Sequence, residues 1–299
     1  ATQYGRWLSL SEGEVPTMND NLDFFFRYQV GWMYFRYFMW NFAGRQNAKQ
    51  GFYANDPTKG NWQSGIGLFD NGRLMPTKDL PESMTDQGSN SYYFLPLIFG
   101  LIGLIFHISR RPQEALALGI LFLITGLAII LFSNQPPNEP RERDYVLVGS
   151  IFTYCIWIGL SVTALYKTFK DLLKNGVGAS VLATALVLVA PLLMATQNWD
   201  DQSRANHTGA RDYANNFLQS CAKNAVVFTF GDNDTYPLWY AQEVEGIRTD
   251  IRVVNFSLLA VDWYIDQLRR KMNESEAIQM TISRNAYRGG PNARCNRYS

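Results

Sequence analysis

Cysteine is scarce in this chain: three residues in 299, at Cys155, Cys221 and Cys295. That is too few for a disulfide framework. Cys155 lies in an apolar run and reads as a small packed residue. Cys221 and Cys295 lie in polar sequence, where they can pair in an oxidising compartment or remain two free thiols. Net charge is scarce as well. Twenty-seven Lys and Arg against 26 Asp and Glu leave +1, so there is no electrostatic footprint for nucleic acid. No basic, then apolar, then small-residue series of a secretory signal peptide follows Ala1. The chain therefore reads as incomplete or processed. Most telling is where charge is missing locally. Hydrophobic residues make up 47% of the chain, and Asp, Glu, Lys and Arg avoid a few long stretches almost completely.

Four such stretches pass the length of roughly 17–25 apolar residues that a bilayer span needs: Tyr92–Ile108, Ala115–Phe132, Tyr145–Tyr166 and Gly178–Thr196. In lipid every backbone polar group must be satisfied within the segment, so each is expected to be a helix. Loop charge sets their orientation. "HISRRPQ" carries Arg110 and Arg111, and "YKTFKDLLKNG" carries Lys167, Lys170 and Lys174, so these two loops are expected in the cytoplasm. "SNQPPNEPRERD" and everything after Thr196 then face outside. The spans hold almost no interior charge, internal repeat or Gly/Pro-broken helix pair, which argues against a transporter.

A fifth segment, "FFFRYQVGWMYFRYFMWNFAG" (Phe24–Gly44), is dense in aromatics and carries Arg27 and Arg36. Trp32, Trp40 and the two arginines suit the headgroup layer, although arginines inside a true span would face a cavity or a partner. An interfacial helix and a span are both open readings. The expected organisation is an N-terminal segment 1–23, a membrane domain 24–196 with an outer loop 45–91, and an extracytoplasmic domain 197–299.

Beyond Thr196 the pattern becomes that of an α/β domain. "AVVFTF" and "IRVVNF" read as buried strands and "IQMTIS" as a third, with helices between. Thr208 is a candidate helix cap, Pro237 suits a first helical turn and Gly246 a helix end. "VDWYIDQLRRKM" reads as a helix with Trp263 and Leu268 inward. Strands alternating with helices predict a parallel, Rossmann-like sheet, with ligands outside the carboxyl ends of its strands. Asp232 and Asp234 follow the first strand and Asn255 ends the second, so all three are expected on one rim. The "DND" can hold a divalent cation against a diphosphate or form a metal-free headgroup site. Alternatively Gly231 and Asn233 make a turn that Asp234 and Thr235 convert into a cap, a routine arrangement after a strand.

The outer loop "NQPPNEPRERDY" is stiffened by three prolines. It sets Arg141, Arg143 and Asp144 at the mouth of a span. The arginine fork there can clamp a lipid-linked phosphate, or the charges can brace loop to domain. "NWDDQSR" adds Asp200, Asp201 and Arg204 at the same level.

"GWMYFRYFMWNFAGRQN", "QPPNEPRERDYVLVGS", "QNWDDQSR", "FTFGDNDTYPLWYAQEVEGIRTDIRVVNFSLL" and "DWYIDQL" together resemble a bacterial family of multispanning membrane proteins, long of unknown function and grouped with the protein O-mannosyltransferase-like glycosyltransferases of GT-C type. The resemblance implies a protein of the bacterial inner membrane with its C-terminal domain in the periplasm. It implies transfer of a sugar from a polyprenyl-phosphate donor to Ser or Thr of an exported protein, with no obligatory cofactor. GT-C enzymes carry the catalytic acid in a first outer loop, with no counterpart here, so this chain by itself is expected to be inactive. The competing reading is a non-enzymatic scaffold, part of a larger membrane complex, whose outer domain binds a partner.

Overall fold

The structure, a computed structural model, describes residues 2–11, 13–52, 56–75, 88–137 and 143–288. The chain forms two compact units, Ala1–Ser203 and Arg204–Ser299. It is mostly helical.

In the first unit, a continuous helix, α1, covers residues 18–42. It opens on a capping box at Thr17 and Asp20, coils as a π-helix over Phe25–Phe35, and closes as α-helix over Arg36–Phe42. Beyond a single turn at Gly67–Asp70, four long helices follow among the described residues: α2 (Leu95–Arg110), α3 (Pro112–Ser133), α4 (Asp144–Leu173) and α5 (Gly176–Gln202). Three of these, α3, α4 and α5, are long and apolar enough to cross a membrane. The fourth predicted span, α2, is apolar but only 16 residues long, short of the usual crossing length. Helix α5 runs six residues past the predicted end at Thr196.

Close packing of α2 on α4 depends on two glycines. A Cβ at Gly103 would overlap the Trp157 carbonyl, and one at Gly100 the Tyr154 ring. Small residues at such contacts let helices approach without a hydrophobic driving force. The Tyr154 hydroxyl donates to the Leu97 carbonyl at 2.7 Å, and the Trp157 indole N–H to His107 Nδ1 at 3.3 Å. These rising pairs make α2 and α4 parallel, which sets Arg110 and Lys170 at the same end of the bundle. The other faces are apolar and exposed, among them Leu116, Ile120, Phe132, Val148, Phe152 and Leu192. Cys155 lies on such an exposed face of α4, not packed as the sequence suggested, because Tyr154 and Trp157 are the residues turned inward.

Helix α1 packs against α3 and α4 through its aromatics. Tyr28 donates to the Gln135 carbonyl at 3.0 Å. Tyr34 and Ser150 share a hydrogen bond of 2.6 Å. Phe38 meets Phe122 and Tyr154 edge-on. These contacts run from just beyond the end of α3 to its middle. The chain then turns at Gly44, whose φ of +130° and lack of a Cβ admit the Asn90 and Gln63 carbonyls. Segments 43–46, 61–64 and 90–93 lie side by side, paired by Gln63 N–H to Gly44 O, Gln46 N–H to Asn61 O, and the reciprocal bonds of Arg45 and Asn90. The end of α5 ties in through Gln197, which accepts from Ser91 N–H at 2.7 Å and donates back to Ser91 O at 3.0 Å, while Asn90 donates to Asp201 at 2.8 Å.

The second unit holds α6 (Gly209–Gln219), β1 (Val226–Thr229), α7 (Asp232–Glu243), β2 (Arg252–Asn255) and α8 (Asp262–Leu268). β1 and β2 pair in parallel, Val226 with Arg252 through Thr229 with Asn255. The sheet has these two strands only, among the described residues. "IQMTIS" is irregular: Ile278 donates its N–H to the Leu268 carbonyl and packs with Met280 against Tyr264 and Leu268, so its apolar residues cover α8 instead of joining a ladder. Trp263 is exposed, against expectation; Tyr264 is the buried aromatic of α8. Two arginines bind the carbonyl ends of helices. Arg248 donates to Leu218 in the last turn of α6 and to Cys221 and Ala222 just beyond it, and Arg252 to Gln267 in the last turn of α8 and to Arg270 beyond it. Both placements oppose the negative end of a helix dipole.

Candidate anion-binding cavity

The residues singled out in the sequence are dispersed. In the second unit, Gly231 (φ +79°) takes the N-cap position of α7. Asp232 and Asp234 therefore fall within the first turn and are exposed, where a carboxylate favours the helix N-terminus. Thr235 is not a cap: its hydroxyl, buried, bonds Thr229 Oγ1 at 2.7 Å and donates to Gly231 O at 2.6 Å. Pro237 is the sixth residue of α7 rather than part of its first turn. The charge of Asp232 beside the Tyr236 phenol, and the hydrogen bond between them, push that phenol's pKa up. Asn255 is buried and fully engaged. Its Oδ1 accepts from Ser257 and Leu258 N–H at 2.8 and 3.3 Å, and its Nδ2 donates to Thr235 Oγ1 at 3.0 Å and Gly231 O at 3.3 Å. The strand ends are thus joined by a structural latch, with the acids outside it. Among the described residues no three or more His, Cys, Asp or Glu converge as metal ligands would.

In the loop before α4, Arg141 lies outside the described residues. Asp144 is the first residue of α4. Arg143 caps that helix by position, accepting Val146 N–H on its carbonyl, and borders a small hollow with Tyr37 and Gln135. Arg204 is exposed at the start of the second unit, its carbonyl accepting from His207. Cys221 is a partly buried thiol, and its proposed partner Cys295 lies outside the described residues.

The structure instead gathers a cavity of about 510 Å³ in the first unit. Arg27, Gly31, Trp32, Phe35 and Arg36 of α1 line one wall; Pro57, Asn61, Trp62 and Arg73 line the other. Among the described residues three cations and no acid line it. The size falls within the 300–1,000 Å³ typical of small-ligand sites.

Each arginine is held in place. Arg36 is buried; its Nε donates to Trp32 O at 3.0 Å and one Nη to Gly60 O at 2.9 Å. Its guanidinium lies 3.9 Å from the Trp32 ring centroid and 4.4 Å from that of Trp40. A desolvated cation over an indole gains on the order of 2 kcal/mol per contact. Arg73 stacks on Trp62 at 3.6 Å, donates to the Trp62 carbonyl at 2.7 Å, and pairs with Asp70 at 3.3 Å. Its Nε is buried with no hydrogen-bond partner among the described residues. Burial pushes the Arg73 pKa down, and the Asp70 carboxylate opposes that shift; a guanidinium stays charged either way. Arg27, half-exposed, pairs with Asp23 at 2.9 Å.

The second wall is a loop folded by side-chain amides. Asn47 donates to Thr58 O at 2.8 Å and accepts from Gly60 N–H at 3.0 Å. Asn61 donates to Gln46 Oε1 at 2.9 Å and to Asp56 O at 2.8 Å. Gly60, at φ +61°, lets the loop close over Arg36: a Cβ there would lie 2.8 Å from Lys49 O and 3.3 Å from the guanidinium.

The sequence singles out Arg27, Arg36, Trp32 and Trp40 as candidates for the membrane interface; the structure buries Trp32, Arg36 and Trp40 and places Arg27, Trp32 and Arg36 on a cavity that the sequence reading missed, together with Arg73, Trp62 and Asn61. The available signal was the density of Asn, Gln and Gly in "RQNAKQG" and "KGNWQSG", polar groups able to satisfy a folded loop without strands.

Comparison with known proteins bears on both units. Residues 210–298 match the family described as TMEM260-associated domain 2. A mouse (Mus musculus) protein, Protein O-mannosyl-transferase TMEM260, is 24% identical over 164 residues, covering 51% of this chain and 23% of the relative. The chain thus spans less than a quarter of that relative's length. No solved structure matches it.

Proposed function

We propose that this chain is part of a membrane glycosyltransferase of GT-C type, which moves a sugar from a polyprenyl-phosphate donor to Ser or Thr of an exported protein. The observation that carries the reading is the similarity to a protein named as an O-mannosyl-transferase, in a chain with three helices of membrane length. In this reaction the bond from the anomeric carbon to the phosphate oxygen breaks and a bond to the acceptor oxygen forms. The hydroxyl proton passes to a general base, and the departing lipid phosphate needs cations. Arginines supply that need without a metal ion. The general base is not assigned to any described residue.

The proposal includes location. The chain sits in a bacterial inner membrane with Arg110 and Lys170 cytoplasmic and the second unit periplasmic, its small parallel sheet a reduced Rossmann-like element. Helix α1 dips into the bundle from the outer side instead of spanning: it starts beside Gln135 just after α3, reaches Phe122 in the middle of α3, and its following Gly44 meets Asn90 just before α2. Arg143, Asp144 and Arg204 belong to the surface that meets donor or acceptor.

The test is sugar transfer from a polyprenyl-phosphate mannose to a Ser/Thr peptide, with this chain inside the longer protein in nanodiscs, with and without a chelator. Transfer that survives chelation supports the reading. No transfer to any hydroxyl acceptor overturns it in favour of a membrane scaffold. That second reading draws on the structural use of the outer acids: Asp250 pairs with Arg248, and Asp266 with Arg284 and Arg288.

A further inference from the structure

We propose that the cavity between α1 and the 57–73 loop is a binding site for a sugar phosphate, with the guanidinium groups of Arg27, Arg36 and Arg73 taking the phosphate. The sugar part rests on the glycosyltransferase reading above; the anion part rests on the cavity alone. Among the described residues three arginines and no acid border it; the carboxylates of Asp23 and Asp70 pair with Arg27 and Arg73 from outside the lining. Two of the three are fixed before any ligand arrives, Arg36 between Trp32 and Trp40 and Arg73 on Trp62. Stacked, hydrogen-bonded guanidinium groups lose little freedom on binding, and their fork matches phosphate oxygens. Among the described residues Arg73 Nε, a buried donor, has no acceptor, a cost that a rearrangement around an anion can recover.

Volume argues for more than bare phosphate. A water molecule's share of liquid is about 30 Å³, so 510 Å³ exceeds several times what a phosphate ion fills. The remaining lining divides between polar and apolar: Asn61, whose amide N–H groups are already used, offers its side-chain oxygen, and Pro57 and Phe35 give a non-polar border. Phe35 is also half-exposed, so an apolar chain attached to the phosphate has a route out of the cavity. A soluble sugar phosphate and a lipid-linked one share this chemistry.

The π-coil makes the site possible. At about 100° per residue, nine residues of α-helix would leave Arg27 and Arg36 on opposite sides. The wider π-coil, bonded five residues back, turns by roughly 80–85° per residue and brings them to one wall. Straightening that coil would dismantle the site without altering a single lining residue.

Binding to the full chain in nanodiscs tests the proposal, using inorganic phosphate, a soluble hexose 1-phosphate and a polyprenyl-phosphate hexose as probes. Arg27→Gln and Arg73→Gln are chosen because both side chains are partly exposed, and a thermal melt confirms that the variants fold. Losing a charge-assisted bond costs about 1.5–3 kcal/mol, or roughly 10- to 100-fold in affinity. The expected result is that one or both esters bind more tightly than inorganic phosphate and weaken at least tenfold in the folded double variant. Preference for the lipid-linked ester identifies a carrier-lipid source; equal binding of the soluble ester identifies a free sugar phosphate. Esters that bind no better than inorganic phosphate, or bind the folded double variant unchanged, overturn the site. The two readings fail separately. Ester binding without sugar transfer sinks the enzyme and keeps the site, whereas sugar transfer together with ester binding that the folded double variant leaves unchanged sinks the site and keeps the enzyme.

Discussion

Replacing Asn255 by Ala separates a structural latch from a ligand site. Asn255 is 1% exposed, and its side chain makes four hydrogen bonds: two join β2 to Gly231 and Thr235 at the start of α7, and two cap the turn that follows β2. Two are short: 2.8 Å from Ser257 N–H and 3.0 Å to Thr235 Oγ1. Thr235 keeps other partners at Thr229 and Gly231, and Ser257 is exposed, so water replaces part of what is lost. Two good bonds at about 1 kcal/mol each, one of them a cap, give a loss of about 2–3 kcal/mol. Because the chain has two units, a single melting temperature would blur the effect. Amide exchange at Val253 and Val254, in the centre of the unit, reads it directly. At 1.4 kcal/mol per decade, exchange should quicken roughly 30- to 150-fold. Asn255→Asp should be no better, since it keeps the acceptors but faces the Gly231 carbonyl with no donor and buries a charge. Asp232→Asn, exposed, should stay within about 0.5 kcal/mol. Unchanged exchange in Asn255→Ala, together with lost ligand binding or transfer, would refute the latch and restore Asn255 as a site residue.

Three further outcomes are expected. Gly103→Ala should destabilise the bundle by about 1–3 kcal/mol through overlap with the Trp157 carbonyl, the cost of overpacking; Gly119→Ala, with open space around it, should be neutral when both are unfolded in detergent. The Asp250 carboxyl is held far below its ordinary value, first by the Arg248 guanidinium and then by Asn224 N–H, so its contribution is complete above the unfolded pKa of about 3.9 and fades as pH falls below it. Asp250→Asn should therefore weaken the second unit at pH 7 and flatten its acid-unfolding limb below about pH 4, which acid titration followed by amide exchange would show. Cysteines placed at Arg110 and Thr208 should label from opposite sides of the membrane, and labelling from one side would break the proposed topology.

Much of this fold was readable because two periodicities are strong. The apolar runs of α3, α4 and α5 have no competing reading at their length, and the pair "AVVFTF" and "IRVVNF", separated by a helix, leaves a parallel crossover as the simple solution. The misses have local causes. "IQMTIS" has strand composition, but Ile278 and Met280 are used to cover Tyr264 and Leu268, and no backbone partner is left for a ladder. Trp263 and Tyr264 compete for the same inward position of α8. Tyr264 wins because its hydroxyl accepts the Asn255 N–H at 2.8 Å, a bond an indole cannot accept.

The cavity was illegible for a different reason, one that bears on how such sites are sought. Its residues come from a helix and a loop, and both defeat ordinary pattern reading. In the loop, backbone pairing is confined to a few bonds among segments 43–46, 61–64 and 90–93, and the amides of Gln46, Asn47, Asn61 and Gln63 supply the rest, leaving no apolar alternation to detect. In the helix, α-periodicity separates Arg27 from Arg36, so a helical wheel presents two isolated charges in an aromatic segment instead of one wall. The residues carry the clue only when read at the wider spacing: Arg27, Trp32 and Arg36 recur at five and four, the rhythm of a π-coil. A long π-segment is rare and stores cost unless something compensates. Here the compensation is visible in the packing of Tyr28, Trp32 and Tyr34, all buried by that same coil. The coil therefore has a structural reason to exist without a ligand. It also aligns the cations whether or not one is bound, so ligand binding, not the shape of α1, decides whether the site exists.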